Sequence, residues 1–302
     1  MPNQRNVSFE FKNQLVPRYI EPLLLQLEYG QWYDSAELRH YLRASGLDIE
    51  GKNIVQAHIV LWTKAGLGEV KRGERNYNLF RLTPLAKQVI DLYSTNQELF
   101  FDLFHFLFYS AWPRSRNLNQ APFWVYRQVC DRLWSTAPSQ VDTFTLTAQM
   151  QTESRISFPD QSPAFSERSV RSVQVWFQAL TPPFITKLGP RSELHSERRS
   201  YCTPQLFHLA TDLLYTTEGL SYGTSLAMDD DKIAAVCRAC LLDPTRFWEM
   251  ASLTSMAMRE FEVRQGQWGT SLALSGPPRW IQLPVFDPAE EDADDEAEED
   301  EA

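Results

Sequence analysis

The stretch KNIVQAHIVLWTKAGLGEVKRGERNYNLFRLTPLAKQVIDLY, residues 52–93, carries the order on which the fold turns. Lys52–Leu67 spaces Val55, Ile59 and Trp62 along one helical face. Gly68-Glu-Val70 then reads as a short strand, Lys71-Arg-Gly-Glu-Arg75 as a basic turn and Tyr77–Leu82 as a second strand. Thr83-Pro84 opens a further helix, Leu85–Tyr93. Proline suits that first helical position because its missing N–H would have had no helical partner there. A helix, a hairpin with a basic tip and a proline-started helix is the order of a winged helix, which sets a reading helix beside a DNA-touching hairpin.

Upstream, Tyr19–Tyr29 carries Ile20, Leu23, Leu24 and Leu27 at helical spacing, with Pro22 near its start and Gly30 at its end. Asp34 and Ser35 are good N-caps for a short helix Ala36–Ala44, which Gly46 closes. With Glu50-Gly-Lys-Asn53 turning into the third helix, residues 1–96 form a first winged-helix module. Residues 97–140 follow as an aromatic-rich helical connector, Gln97–Trp112 and Phe123–Trp134. Its rings are too many for one helix pair to bury and are expected to pack between the flanking modules.

The first pattern recurs in residues 141–218, a second winged-helix module. Thr143–Met150 reads as a helix and Ser154–Phe165 as a loop. Ser166–Leu180 is the counterpart of the reading helix, with Val170, Val173, Trp176 and Phe177 inward. Phe184–Leu188 and Ser200–Cys202 are the expected wing strands, and Thr203-Pro204 starts the helix Gln205–Tyr215. The run FRLTPLAKQVIDLY matches SYCTPQLFHLATDLLY about 120 residues later in its Thr-Pro, its apolar rhythm and its Leu-Tyr close, as a divergent duplication would. Residues 219–286 read as a helical cap with a β-hairpin, or as a third wing-like unit. Asp229–Leu242 and Pro244–Phe261 are the helices, Glu262–Trp268 and Ser271–Leu274 the hairpin, and Arg279–Leu283 a further strand. Residues 287–302 form an acidic tail without aromatics, a composition that predicts disorder.

Charge is distributed unevenly. The formal charge is −10, yet the tail holds eleven carboxylates and no Lys or Arg. Taking those eleven from 39 leaves 28 against 29 basic residues, so the body is nearly neutral and any DNA-binding face must come from local clustering. With no export signal, no apolar run near a membrane span and four unpaired-looking cysteines, a cytoplasmic, reduced protein is expected.

The residues suited to duplex DNA lie on the two reading helices and their wings. Lys52, Asn53, Gln56 and Lys64 lie off the apolar face of the first, with Lys71, Arg72 and Arg75 on its wing. Arg168, Arg171 and Gln174 belong to the second, with Lys187, Arg191, Arg198 and Arg199 on its wing. Asn and Gln pair two-pronged with adenine, Lys and Arg reach guanine or phosphate, and wing cations suit phosphate or the minor groove. Cys237-x-x-Cys240 lacks the second ligand pair that a structural zinc needs and reads as two small residues within an amphipathic helix. His40, His58, His105, His195 and His208 form no metal spacing, and no Gly-rich phosphate loop or nucleophile elbow occurs. Asp229-Asp-Asp-Lys232 suits a helix start. No catalytic residues, metal, cofactor or small-molecule substrate are expected.

Gly51-Lys-Asn-Ile-Val55, the helix to Trp62, Ala65-Gly-Leu67 and Leu82-Thr-Pro-Leu85 resemble an uncharacterised bacterial family of proteins of about this length. Its members are encoded beside DNA phosphorothioation and restriction genes in phage-defence islands. The match spans about residues 51–85; where the family has a His-Glu-Thr-Phe-like motif, this chain has Phe9-Glu10-Phe11. The resemblance implies a defence-associated accessory protein and assigns no catalytic residue. The expected fold is thus α+β, mainly α, with tandem winged-helix modules joined by a helical connector. The expected function is that of a non-catalytic duplex DNA-binding subunit or regulator with protein partners in a defence complex. Two other readings stand beside it: a protein–protein adaptor that holds a larger ATPase or nuclease, and an autoregulatory transcriptional repressor.

Overall fold

A computed structural model describes residues 8–11, 17, 24–44, 46, 59–73, 78–115, 118–159, 166–189, 193–267 and 269–284. The fold is mixed α+β and mainly helical. In chain order the helices are α1 (Ser35–Ala44), α2 (Pro84–Tyr93), α3 (Gln97–Ser115), α4 (Ala121–Thr136), α5 (Thr143–Ser157), α6 (Glu167–Ala179), α7 (Pro204–Thr217), α8 (Asp230–Cys240) and α9 (Phe247–Ala257). The strands are β1 (Gly68–Arg72), β2 (Asn78–Leu82), β3 (Ser139–Gln140), β4 (Ile185–Leu188), β5 (Glu193–Ser196), β6 (Ser225–Ala227), β7 (Phe261–Gly266) and β8 (Gly269–Leu274).

One path is traced three times. A short strand is followed by two helical segments and a hairpin, and the short strand pairs with the hairpin's returning strand. In the second repeat β3 leads to α5, α6 and the hairpin β4–β5, with strand order β3-β5-β4. In the third, β6 leads to α8, α9 and β7–β8, with order β6-β8-β7. In the first, the short strand is reduced to Tyr33, which exchanges both backbone hydrogen bonds with Phe80 of β2 at 2.8 Å. α1, the helical residues 59–64 and the β1–β2 hairpin follow. Residues 219–284 therefore repeat the earlier path, with Ser225–Ala227 as the third strand of their sheet. Arg279–Leu283, expected as a strand, is irregular.

Local chemistry explains the boundaries. Asp34 caps α1 by accepting from the Ala36 and Glu37 amides, and Glu37 reaches back to the Asp34 N–H, a reciprocal capping box. The helix ending near Lys64 is closed by Gly66 at φ +78°, a left-handed conformation that glycine adopts without a β-carbon clash. Gly68 is required by packing, since a β-carbon there would lie 2.0 Å from the Phe80 ring. The two Thr-Pro starts behave alike: Thr83 and Thr203 each accept an amide hydrogen from three residues on, with Pro84 and Pro204 in the first turn.

Helix α3 is apolar nearly all round and buried, as expected of a helix covered on every side. It packs against α2, α4, α7 and α8, and its Phe104 and Phe108 reach Trp176 of α6, so it touches the second and third repeats and the helix that follows the first. The rings of the α3–α4 segment are core: Phe104 stacks on Trp176 of α6 at 5.3 Å, and Phe108 meets the same indole edge-on at 5.1 Å. Phe9 and Phe11, far away in sequence, complete this cluster against Trp124 and Phe108. Aromatic pairs of this kind each add about 0.5–1.5 kcal/mol beyond area burial. Two further boundaries differ from the sequence reading. Helix α5 runs to Ser157 through residues expected as loop, and the returning strand of the second hairpin is Glu193–Ser196, not Ser200–Cys202.

Candidate nucleic-acid interface

Helix α6 buries Val170, Val173, Trp176 and Phe177 and leaves Arg168 and Arg171 exposed. Arg171 pairs with Glu167 one turn earlier, and Arg168 has no ion-pair partner among the described residues. The hairpin that follows exposes Lys187 and, beside it, Leu188. Helix and hairpin of the second repeat thus both carry cations accessible to a polyanion.

Gln174, expected beside these arginines, is buried and exchanges hydrogen bonds with the Thr143 hydroxyl at 3.1 and 3.2 Å. It lies four residues after Val170 and three before Phe177, on the inward face, where α5 covers it. Gln174 cannot read a base from there. Arg199 is a second correction. β5 ends at Ser196, and the chain turns inward as Arg199 bridges to Leu242. Its guanidinium, 1% exposed, meets Asp102 of α3 at 2.9 Å and donates to the carbonyls of Thr181, Pro182 and Cys240. Arg198 is half-buried, lies over the Trp134 ring at 4.8 Å and donates from Nε to the Trp134 carbonyl. Neither arginine, both expected on a wing, belongs to the β4–β5 hairpin.

The first repeat presents Lys71 and Arg72, both exposed, near the tip of β1. Trp32 had no signal in the linear sequence. It precedes the bridging Tyr33, and strand alternation turns it to the opposite side. There it meets Lys71 Nζ at 4.1 Å and Arg81 at 4.5 Å from the ring centre, and Arg81 also pairs with Glu69. Two cations on one indole make a basic, aromatic hairpin face. Lys64 is half-buried. Lys52, Asn53, Gln56, Arg75, Arg191 and residues 285–302 lie outside the described residues.

The third repeat differs. The exposed side of α9 carries Trp248, Ser252 and Met256, spaced four residues apart as a stripe. Of the cations flanking it, Arg246 pairs with Glu249 and Arg264 with Glu262, while Arg259 just beyond its end is exposed and has no ion-pair partner among the described residues.

Several titratable groups are buried in the core. The Asp102 carboxylate also accepts from the Thr203 amide and hydroxyl at 2.9 Å. His105, one turn on, contacts the Tyr126 hydroxyl and the Ala239 carbonyl at 2.9 Å each. Burial and the nearby Arg199 charge hold its pKa down at about 3, so it is neutral. Cys202, Cys237 and Cys240 are buried, and burial pushes the Cys237 and Cys240 thiols up. Among the described residues no three His, Cys, Asp or Glu are grouped as metal ligands, and no helix is long and apolar enough to cross a membrane. A cleft of about 560 Å³ between α4 and α5 is lined by Asp131, Asp142 and Glu153 with Arg132, a sign unsuited to nucleic acid.

No family model and no curated sequence matches the chain. Two solved structures resemble it. A crystal structure of SspB aligns with a TM-score of 0.54 at 15% identity, over 87% of this chain and 80% of that one. A magnesium ion-bound crystal structure of SspB aligns over the same shares at the same identity, with a TM-score of 0.55. At that identity the likeness is one of fold.

Proposed function

We propose that this chain is a non-catalytic duplex DNA-binding protein built from three winged-helix units in tandem. The strand order of each repeat, with the leading strand beside the hairpin's returning strand, supports the winged-helix reading. The observation that carries the DNA reading is the second repeat: exposed Arg168 and Arg171 on the helix before the hairpin, and Lys187 on the hairpin itself. In a winged helix those two elements face the groove and the flanking backbone. Lys71 and Arg72 add a second cationic hairpin in the first unit. The phage-defence setting comes from the resemblance over residues 51–85 and makes the protein an accessory subunit of a restriction-type system in the cytoplasm. The test is duplex affinity of the full chain against salt. Binding whose logarithm falls steeply and linearly with log salt is expected, and no binding at low salt removes this reading. The adaptor reading has its own support in the apolar stripe of α9, which suits a protein partner better than phosphate.

A further inference from the structure

We infer that the acidic C-terminal segment, residues 287–302, docks on the β1–β2 hairpin of the first repeat and screens it from phosphate. Ile281 is buried, and the Gln282 amide donates to Gln88 Oε1 of α2 at 3.3 Å. Arg114 at the end of α3 donates to the Pro284 carbonyl. Pro284 sits so close to Gly66 that a β-carbon there would lie 2.6 Å from its side chain. The chain is therefore pinned at the root of the first hairpin, since Gly66 stands two residues before β1.

Distance and charge then select the occupant. From Gly66 to Lys71 is five residues, about 16 Å along an extended chain. From Pro284 the carboxylates Glu290, Glu291 and Asp292 lie six to eight residues on, a reach of at most about 20–28 Å. The hairpin is thus within tether of the tail, at an effective concentration on the order of millimolar. The tail has eleven carboxylates and no cation, and the hairpin offers exposed Lys71 and Arg72. Trp32 holds the Lys71 ammonium on its ring face, so the charge is presented at a defined place. Carboxylates there occupy what phosphate would occupy.

The masking of DNA rests on the proposed DNA-binding function; the docking itself does not, and the experiment separates them. The full chain is treated with a zero-length carboxyl-to-amine cross-linker, and tail adducts are mapped by mass spectrometry. Intramolecular links from the tail to Lys71 are expected, several-fold more abundant than links to Lys187, which is also exposed, and abolished at high salt. Equal links to both lysines, or links only between molecules, overturn the docking. In parallel, a full chain with the eleven tail carboxylates replaced by amides should bind duplex about tenfold tighter at low salt. That gain should vanish in Lys71→Ala/Arg72→Ala and persist in Arg168→Ala/Arg171→Ala. A gain undiminished by the hairpin substitutions also overturns the proposal. Tail-to-Lys71 links without DNA binding by either chain would remove the DNA reading and leave the docking in place.

Discussion

Helices α6 and α9 occupy the same place in successive repeats, yet α6 turns Arg168 and Arg171 to solvent while α9 turns out Trp248, Ser252 and Met256. Their inner faces obey one rule. α6 buries Val170, Val173, Trp176 and Phe177, and α9 buries Phe247, Met250, Ala251 and Thr254, each at three- and four-residue steps. The hairpins diverge likewise: Lys187 has no ion-pair partner among the described residues, whereas Arg264 is neutralised by Glu262. A repeated path constrains what must be inside and leaves the outside free to specialise. One unit turns cations outward and the next turns out Trp248 and Met256, within a single chain.

The largest expected effect concerns the joint between these two repeats. Arg199→Ala or Asp102→Ala leaves a buried charge without its partner and should lower stability by about 3–5 kcal/mol in chemical denaturation. Arg168→Ala should change stability by no more than about 0.5 kcal/mol. If the two arginines cost the same, the division into a joint arginine and a surface arginine is wrong.

Next comes acid sensitivity. His105 has a folded-state pKa of about 3, below its ordinary 6.5. Between those values the unfolded chain takes up a proton that the native protein refuses. Its contribution is therefore complete above pH 6.5 and falls by about 1.4 kcal/mol per pH unit on acidification. Urea midpoints from pH 7 to pH 4 should drop more steeply for the wild type than for His105→Gln. Parallel slopes would show that this imidazole is not held neutral by the fold.

The comparison of outer faces is sharpened by two pairs of substitutions. Arg168→Ala/Arg171→Ala should weaken duplex binding about tenfold at low salt and flatten the log–log salt slope by about 2, one unit per lost phosphate contact. Trp248→Ala/Met256→Ala should leave duplex affinity within about twofold, as surface changes remote from a binding face do. Equal losses from both pairs would erase the distinction between the units.

Much of this arrangement is legible in the residues taken singly. The Thr-Pro starts at Thr83 and Thr203, the Asp34 cap and the glycine after Lys64 mark element ends through local hydrogen bonding and backbone freedom. The exposed Arg168 and Arg171 follow from position off an apolar stripe, and the exposed Lys71 and Arg72 from position near a hairpin tip. Gln174 and Arg199 did not yield to the same logic, and Trp32 carried no signal at all. Each owes its place to a partner distant in sequence: Thr143, Asp102 and the Lys71–Arg81 pair.

The sequence by itself determined most of the helices, the first and third hairpins and the caps at Asp34, Thr83 and Thr203, because those depend on contacts within a few residues; the leading strands β3 and β6 carried no such local signal. Only the tertiary structure decided that the path closes three times and that α3 is the shared core. It also decided that Lys187, Arg198 and Arg199 divide into an exposed cation, a half-buried arginine and a buried ion pair. The physical reason is that helical spacing fixes an angle about an axis, while burial depends on which neighbour packs against that angle, a relation between segments tens of residues apart.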